Sequence, residues 1–303
     1  MCRRRHGYGD GNRAGGLTVE VRATCVIGAG TMGVGIAQVA AQAGMRVQLV
    51  DAAASALEAG RGRLEASLAS GIERGKIDAA QAEEVRGLIA WDLADAQLSA
   101  ADWVIEAVPE DAATKARVLR RISSLFSDGT PISTNTSTFR IADLAQSCQA
   151  PERFLGLHFF NPVPAMKLVE VIPGMNTAAE VTARALAFCG QLGKTPIVAP
   201  DIPGFIVNRA FAALVAAALG VWAAGATPEA IDASLELGLA HKMGPLRSAD
   251  LVGLDVMLAI LRSLHQETGD GRFEPPDELV ALVESGKLGR KSGEGFYCYA
   301  EQR

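Results

Sequence analysis

Three glycines in the run Gly28-Ala-Gly30-Thr-Met-Gly33 stand between a short apolar stretch, Ala23 to Ile27, and an uncharged helical stretch, Met32 to Ala43. A second apolar strand follows from Arg46 to Asp51, closing on an acid 18 residues past Gly33. Strand, glycine turn, helix, strand is the opening of a doubly wound α/β sheet of the Rossmann type. In such a turn Gly28 and Gly30 allow backbone N–H groups to approach a pyrophosphate, and Gly33 lets helix and strand pack. Thr31 and Met32 enter a helix whose N-terminal dipole favours negative charge. Asp51 is placed to accept hydrogen bonds from an adenosine ribose. An acid there repels a 2′-phosphate, and no arginine follows until Arg61, so NAD is expected rather than NADP. A glycine turn that binds nothing is the competing reading, and strand, spacing and acid together weigh against it.

The chain has 303 residues, enough for about two domains and a sizeable core. It is 49% hydrophobic with a net charge of -5, which excludes a disordered chain and gives no basic face for nucleic acid. Its five cysteines are scattered without a CxxC pair, so neither a disulfide framework nor a zinc knuckle is expected, and the compartment reads as reducing and cytoplasmic. Two uncharged stretches, Ala23 to Met45 and Ala210 to Pro228, approach the length of a membrane span. The first carries Gly28, Gly30, Gly33 and Gly35 within eight residues and the second is dominated by alanine, so both read as close-packed soluble helices with no membrane partner. Residues 1–22 carry five arginines against two acids and are glycine-rich. They read as a disordered extension rather than a mitochondrial targeting helix.

Residues 23–200 are expected to form the sheet domain. Between Ser55 and Ile89, Leu57, Leu64, Leu68 and Ile72 repeat at helical spacing, the Gly75-Lys76 region interrupts, and Val85, Leu88 and Ile89 resume the pattern, predicting an inserted helical hairpin. Further strands are predicted at Trp103 to Val108, Pro131 to Ser133, Phe154 to Phe159, Lys167 to Ile172 and around Pro196 to Ala199. Beyond Asp201 no strand is evident. The turn Asp201-Ile-Pro-Gly204 opens an alanine- and leucine-rich region, predicting an all-α domain over 201–303.

The remaining polar motifs each carry a structural and a chemical reading. Glu106 and Glu110 stand at the carboxyl end of a predicted strand, where open sheets bind ligands; Pro109 and Glu110 also suit the first turn of a helix. Ser137 and Thr138, in Asn135-Thr-Ser-Thr, suit a helix cap near Arg140 equally well. His158 lies among apolar neighbours, where a histidine is commonly a hydrogen-bonded core residue. If the flanking strands pair across Pro162 to Ala165 with a register centred on Pro164, however, His158 comes opposite Glu170. A carboxylate that fixes an imidazole tautomer is the base-and-orienter arrangement of general acid–base catalysis. Asn208, just past the domain junction, is a surface residue or a substrate contact. His241 and His265 show no metal spacing, and neither a nucleophile elbow nor a P-loop lysine is present.

Taken in order, Val-Ile-Gly-Ala-Gly-Thr-Met-Gly, Val-Ile-Glu-Ala-Val-Pro-Glu, Asn-Thr-Ser, Gly-Leu-His-Phe-Phe-Asn-Pro-Val-Pro, Met-Lys-Leu-Val-Glu-Val, Pro-Gly-Phe-Ile-Val-Asn-Arg and Gly-Arg-Lys-Ser-Gly-Glu-Gly-Phe-Tyr resemble the L-3-hydroxyacyl-CoA dehydrogenase family, from about residue 23 to 300. The similarity is greatest to short bacterial 3-hydroxybutyryl-CoA dehydrogenases. The resemblance implies an NAD-dependent enzyme of fatty acid metabolism and β-oxidation, acting on short 3-hydroxyacyl-CoA and working as a homodimer through its helical domain. It makes His158 the general base and Glu170 its partner, with Ser137 and Asn208 binding the reacting oxygen or thioester end. Glu110, Lys115 and Asn135 match positions lining the nicotinamide side, and Asn161 matches a residue of the active-site loop. Relatives acting on a free hydroxy acid or sugar acid, and non-catalytic crystallin-like NAD-binding proteins, resemble the same blocks. Three departures stand out: residues 1–22 match nothing in the family, Ala240-His-Lys-Met-Gly-Pro replaces a common Asn-His-Pro-Met-Gly-Pro, and the coenzyme A contacts are not fixed, leaving Ser55, Arg61, Arg63 and Ser67 as candidates.

Overall fold

The computed structural model describes residues 20–94, 98, 100–126 and 129–299; most of the expected N-terminal extension lies outside them. The sheet half runs β1 (Ala23–Ile27), α1 (Thr31–Gln42), β2 (Arg46–Asp51), α2 (Ala54–Glu73), α3 (Ala79–Leu88), β3 (Ile89–Leu93), β4 (Trp103–Glu106), α4 (Ala112–Leu125), β5 (Ile132–Thr134), α5 (Ile141–Ala145), β6 (Phe154–Phe159), β7 (Leu168–Pro173), α6 (Ala179–Gln191) and β8 (Thr195–Val198). The helical half follows with α7 (Val207–Ala223), α8 (Pro228–Leu239), α9 (Pro245–Val252), α10 (Leu254–Thr268) and α11 (Asp277–Glu284).

The strand order is β3-β2-β1-β4-β5-β6-β7-β8. All neighbours are parallel except β6 and β7. The order reverses on either side of β1, so the loops after β1 and β4 open a crevice at the carboxyl edge, the place where such sheets bind ligands. Strands β1 and β4 to β6 are buried along nearly every residue, as expected of a sheet covered on both faces. Trp103 anchors one face: its ring stacks on Phe188 of α6 at 4.8 Å, and its indole N–H donates to Ser133 Oγ at 3.0 Å.

The inserted hairpin is present as α2 and α3, and α3 opens with a capping box between Asp78 and Gln81. One expectation is corrected here: Ile89 does not continue the second helix. Leu88 ends α3, and Ile89 begins β3, a parallel edge strand paired to β2 with Val47 opposite Ile89. As an edge strand it is only partly buried and lacks the continuous apolar run of its neighbours. After β8 the described residues contain no strand, only isolated bridges between Gly289, Glu294 and Cys298. The helical half has its own core, with Val215, Leu246, Leu254, Met257 and Leu261 fully buried.

Candidate active site

The cofactor cradle is built by three glycines doing different work. Gly28 has φ +112, and a Cβ there would lie 2.5 Å from the Ala107 carbonyl oxygen, so only glycine brings β1 this close to the loop after β4. A Cβ on Gly33 would lie 1.7 Å from Gly28 O, which fixes the seat of α1 on the turn. At Gly30 a Cβ would meet nothing within 4 Å: the space over the second glycine is open, and a side chain would fill it. Helix α1 begins there without a side-chain cap, so its first-turn N–H groups, those of Thr31 and Met32 among them, face that opening with the positive end of the dipole. Asp51 lies at the end of β2, its carboxylate accepting from Ala29 N at 2.8 Å and Ala53 N at 3.0 Å. An open cradle, uncapped donors and an acid beside them fit a dinucleotide.

Across the crevice, β6 and β7 form the predicted hairpin, with His158 paired to Glu170 and Leu157 to Val171. His158 Nδ1 and Glu170 Oε2 are 2.8 Å apart, in residues only 5% and 1% exposed. Phe160 and Phe205 flank the imidazole, with ring centroids at 4.4 and 5.6 Å. The other carboxylate oxygen of Glu170 accepts from Ile206 N and Val207 N, both at 3.0 Å, at the opening of α7. One carboxylate thus holds the imidazole and anchors the helical half, and its charge suits a helix N-terminus. Asp201 is the reciprocal tie: it accepts from Ile141 N at 2.7 Å and Ala142 N at 2.8 Å, capping α5. That resolves the alternative reading of Ser137 and Thr138, since neither caps the helix near Arg140.

Ser137 is instead held by Glu110. Glu110 Oε1 accepts from Thr136 Oγ1 at 2.5 Å, Ser137 N at 2.9 Å, Thr138 N at 3.0 Å and Thr138 Oγ1 at 2.8 Å. Its second oxygen meets Lys115 Nζ at 3.1 Å. Burial would raise the Glu110 pKa, but the Lys115 charge and the hydrogen bonds from Thr136, Thr138 and Ser137 outweigh it and hold the carboxyl below the usual range. Lys115 itself is fully buried and bonded to Glu106 at 2.9 and 3.1 Å. Its ammonium is enclosed by these carboxylates, and it reaches the crevice through Glu110. Glu106, read from the sequence with Glu110 as a carboxylate at the ligand-binding edge, is instead fully buried and accepts from Thr134 Oγ1 at 2.5 Å and Val108 N at 2.7 Å.

Asn208, in the first turn of α7, donates to Ser137 O at 3.4 Å, which brings these two predicted residues together. Asn135 Oδ1 accepts from Phe159 N at 2.9 Å, tying the loop after β5 to the strand that carries His158. Asn161 opens the exposed turn between β6 and β7.

Behind that turn lies a cavity of about 830 Å³ whose lining includes Ser67, Arg74, Lys76, Gln81, Pro162 and Pro164. Of the four candidate coenzyme A contacts only Ser67 lines it. Ser55 is exposed near the start of α2, the Arg61 guanidinium covers the Trp91 ring at 4.9 Å, and Arg63 donates to Ala29 O at 3.3 Å. Arg74 and Lys76, which do line the cavity, are not among those candidates, because helical periodicity marks them only as solvated ends of the hairpin. Among the described residues no cluster could hold a metal ion, and no helix is long and apolar enough to cross a membrane.

The family model for the 3-hydroxyacyl-CoA dehydrogenase NAD binding domain matches residues 23–202, and that for the C-terminal domain of the same family matches residues 204–299. A probable 3-hydroxybutyryl-CoA dehydrogenase of Bacillus subtilis is 40% identical over 285 residues, covering 94% of this chain and 99% of its own. One from Deinococcus radiodurans is 42% identical over 275 residues, covering 90% and 99%. The crystal structure of (S)-3-hydroxybutyryl-CoA dehydrogenase from Ralstonia eutropha superimposes with a TM-score of 0.88 at 38% identity, over 93% of this chain and 100% of that one. With the two domain models matching residues 23–202 and 204–299 in succession, the chain belongs to the 3-hydroxyacyl-CoA dehydrogenase family.

Proposed function

We propose that the chain catalyses reversible oxidation of an L-3-hydroxyacyl-CoA to the 3-oxoacyl-CoA, with short acyl chains preferred and 3-hydroxybutyryl-CoA as the type substrate, as in a β-oxidation step. The observation that carries the chemistry is the 2.8 Å His158–Glu170 pair. NAD, when bound, supplies the hydride acceptor. Glu170 engages Nδ1 and leaves Nε2 of His158 to take the proton of the 3-hydroxyl, or to return it in the reducing direction. The carboxylate stabilises the imidazolium that forms. Ser137 and Asn208 bind the reacting oxygen or the thioester end, and Glu110 holds the Ser137 loop while Lys115 holds Glu110. Gly28, Gly30 and Gly33 with Thr31 and Met32 would seat the pyrophosphate, Asp51 the adenosine ribose, and Asn135 and Glu110 the nicotinamide side.

Coenzyme A is assigned to the cavity behind the β6–β7 turn. Arg74 and Lys76 against the single carboxylate Glu84 give it the charge that phosphates require, which favours a coenzyme A ester over a free hydroxy acid or sugar acid. A crystallin-like scaffold has no use for a desolvated acid–base pair. For assembly we assign a cytoplasmic homodimer through the helical half, supported by Leu237, Leu239 and Leu251 at 88%, 62% and 53% exposure. Helix α7 spends its small residues Ala212 and Ala218 inside its own core, so the dimer face is placed around the end of α8 and α9. The test is NADH oxidation with 3-oxoacyl-CoA esters of increasing length and with the matching free acids. Fastest turnover with acetoacetyl-CoA and none with free acids is expected; turnover of free acids alone would overturn the substrate class.

A further inference from the structure

Lys194 stands in the turn between α6 and β8 and plays no part in the chemistry above. It is 9% exposed, yet it forms no ion pair among the described residues; its ammonium donates to two carbonyls, Val163 O at 2.5 Å and Met166 O at 2.8 Å. Burial lowers its pKa. Burying an ammonium against neutral partners is expensive, and an apolar side chain of similar volume would commonly be neutral or stabilising there. The two acceptors belong to the β6–β7 turn, which has few bonds of its own: Ala165 N and Met166 N both return to Pro162 O at 3.0 Å. The next residue, Thr195, adds a third tie, its N–H donating to Lys167 O at 2.7 Å. On the inner side Val163 packs on α1 so closely that a Cβ at Gly35 would lie 2.9 Å from it. On the outer side Pro162, Pro164 and Ala165 form one wall of the cavity opposite Arg74 and Lys76.

We infer that Lys194 is a positioning residue for substrate binding: by gripping two carbonyls of the β6–β7 turn it sets the wall against which the coenzyme A portion lies, while the strands alone set the dyad. The inference rests on assigning coenzyme A to that cavity. It separates binding from chemistry, because His158 and Glu170 are paired across two strands and a substitution at Lys194 leaves the length of the turn, which sets their register, unchanged.

The experiment compares acetoacetyl-CoA with the acetoacetyl thioester of N-acetylcysteamine, which has the reacting end but lacks the nucleotide, in wild type, Lys194→Met and Lys194→Gln. Lys194→Met should raise KM for acetoacetyl-CoA about ten-fold with kcat kept within about three-fold, the pattern of lost uniform binding. KM for the truncated thioester and the Kd for NADH should move less than about two-fold. Lys194→Gln, which keeps amide donors on a shorter stem, should fall between wild type and Lys194→Met, and carries the test if Lys194→Met does not fold. An unchanged KM for acetoacetyl-CoA, or equal losses on both thioesters, overturns the role of Lys194. Wild type showing the same KM for both thioesters overturns the cavity assignment, and the inference with it.

Discussion

Both halves of the molecule bury carboxylates, but in the sheet half they find basic side chains and in the helical half they find backbone N–H groups and tyrosine hydroxyls. Glu106 is sealed against Lys115, and Glu170 against His158. Asp232 and Asp250, 2% and 0% exposed, are held instead by backbone N–H groups and tyrosines. Asp232 accepts from Leu246 N, Arg247 N and Tyr297 Oη; Asp250 accepts from Phe296 N, Tyr297 N and Tyr299 Oη. The difference follows the task. Around the crevice a fixed charge must be kept while loops are held open to ligands, whereas the aspartates fasten α8 to the start of α9 and the segment 293–299 onto both. Gly244 and Gly295 make room for them, since a Cβ at either would fall 2.2 or 2.1 Å from an aspartate side-chain atom.

The sharpest way to break the comparison is to remove the cation of the sheet half. Lys115→Met should destabilise the protein by about 3–5 kcal/mol, because it leaves Glu106 buried without its counter-charge, as measured by urea unfolding at neutral pH. Adding Glu106→Gln should recover more than half of the loss. If Lys115→Met alone unfolds like wild type, the triad is not what holds Glu110 and the Ser137 loop. Next in size, Glu170→Gln keeps the acceptor for Ile206 N and Val207 N but loses the charge beside His158, and should lower kcat by about 10²-fold with NADH affinity nearly unchanged. His158→Gln should lose at least as much. Full activity in Glu170→Gln would end the dyad reading.

The two kinds of burial also predict pH dependences of opposite sign. Burial, joined by repulsion from Asp232, raises the Asp250 pKa against the pull of its Phe296, Tyr297 and Tyr299 hydrogen bonds. A carboxyl raised in the folded state contributes stability that is full below its unfolded pKa and is lost as pH rises through the folded value. Glu110, lowered in the folded state, contributes stability present above its unfolded pKa and lost as pH falls through the folded value. Asp250→Asn, which mimics the protonated acid but mispairs one backbone donor, should therefore cost about 1–2 kcal/mol at acid pH, and the gap to wild type should narrow as pH rises. The gap for Glu110→Gln should widen over the same range. Thermal unfolding from pH 4 to 8 reads both, and parallel curves would dissolve the distinction.

What could be read from sequence divides along a similar line. The glycine turn, Asp51 and the His158–Glu170 register are local patterns, set by spacing within one hairpin or one strand–helix–strand unit. The Pro164-centred pairing needed nothing beyond alternation and turn residues. What was invisible depends on partners far along the chain. Glu110 finds Ser137 across 27 residues, Asp201 caps α5 across 60, and Lys194 reaches Val163 across 31. Nothing in a neighbouring residue announces those contacts. Strand β3 was hidden for another reason: Val85, Leu88 and Ile89 fit helical spacing, and an exposed edge does not need the apolar run that betrays a buried strand.

The smallest expected effect compares the two non-glycine residues with positive φ among the described residues, Phe205 at 48° and Ala240 at 57°. Phe205 sits at the junction, 1% exposed, with its ring against His158; its left-handed backbone turns Ile206 N and Val207 N toward Glu170. Ala240 is the exposed end of α8, where the chain reverses and His241 N returns to Leu235 O at 3.4 Å. A left-handed alanine costs about 1–2 kcal/mol relative to its preferred conformations, and glycine removes that penalty while adding freedom to the unfolded chain. Ala240→Gly should therefore stabilise by about 0.5–1 kcal/mol. Ala240→Asn, whose side chain tolerates the left-handed region less well than glycine, should gain less. Neither should change kcat. Phe205→Gly gains the same backbone relief but loses a buried aromatic ring, worth about 3–5 kcal/mol, and should destabilise the fold and slow the reaction together. Thermal unfolding and acetoacetyl-CoA reduction of the three variants decide it: if Ala240→Gly is no more stable than wild type, α8 does not hold Ala240 in a strained left-handed conformation in solution.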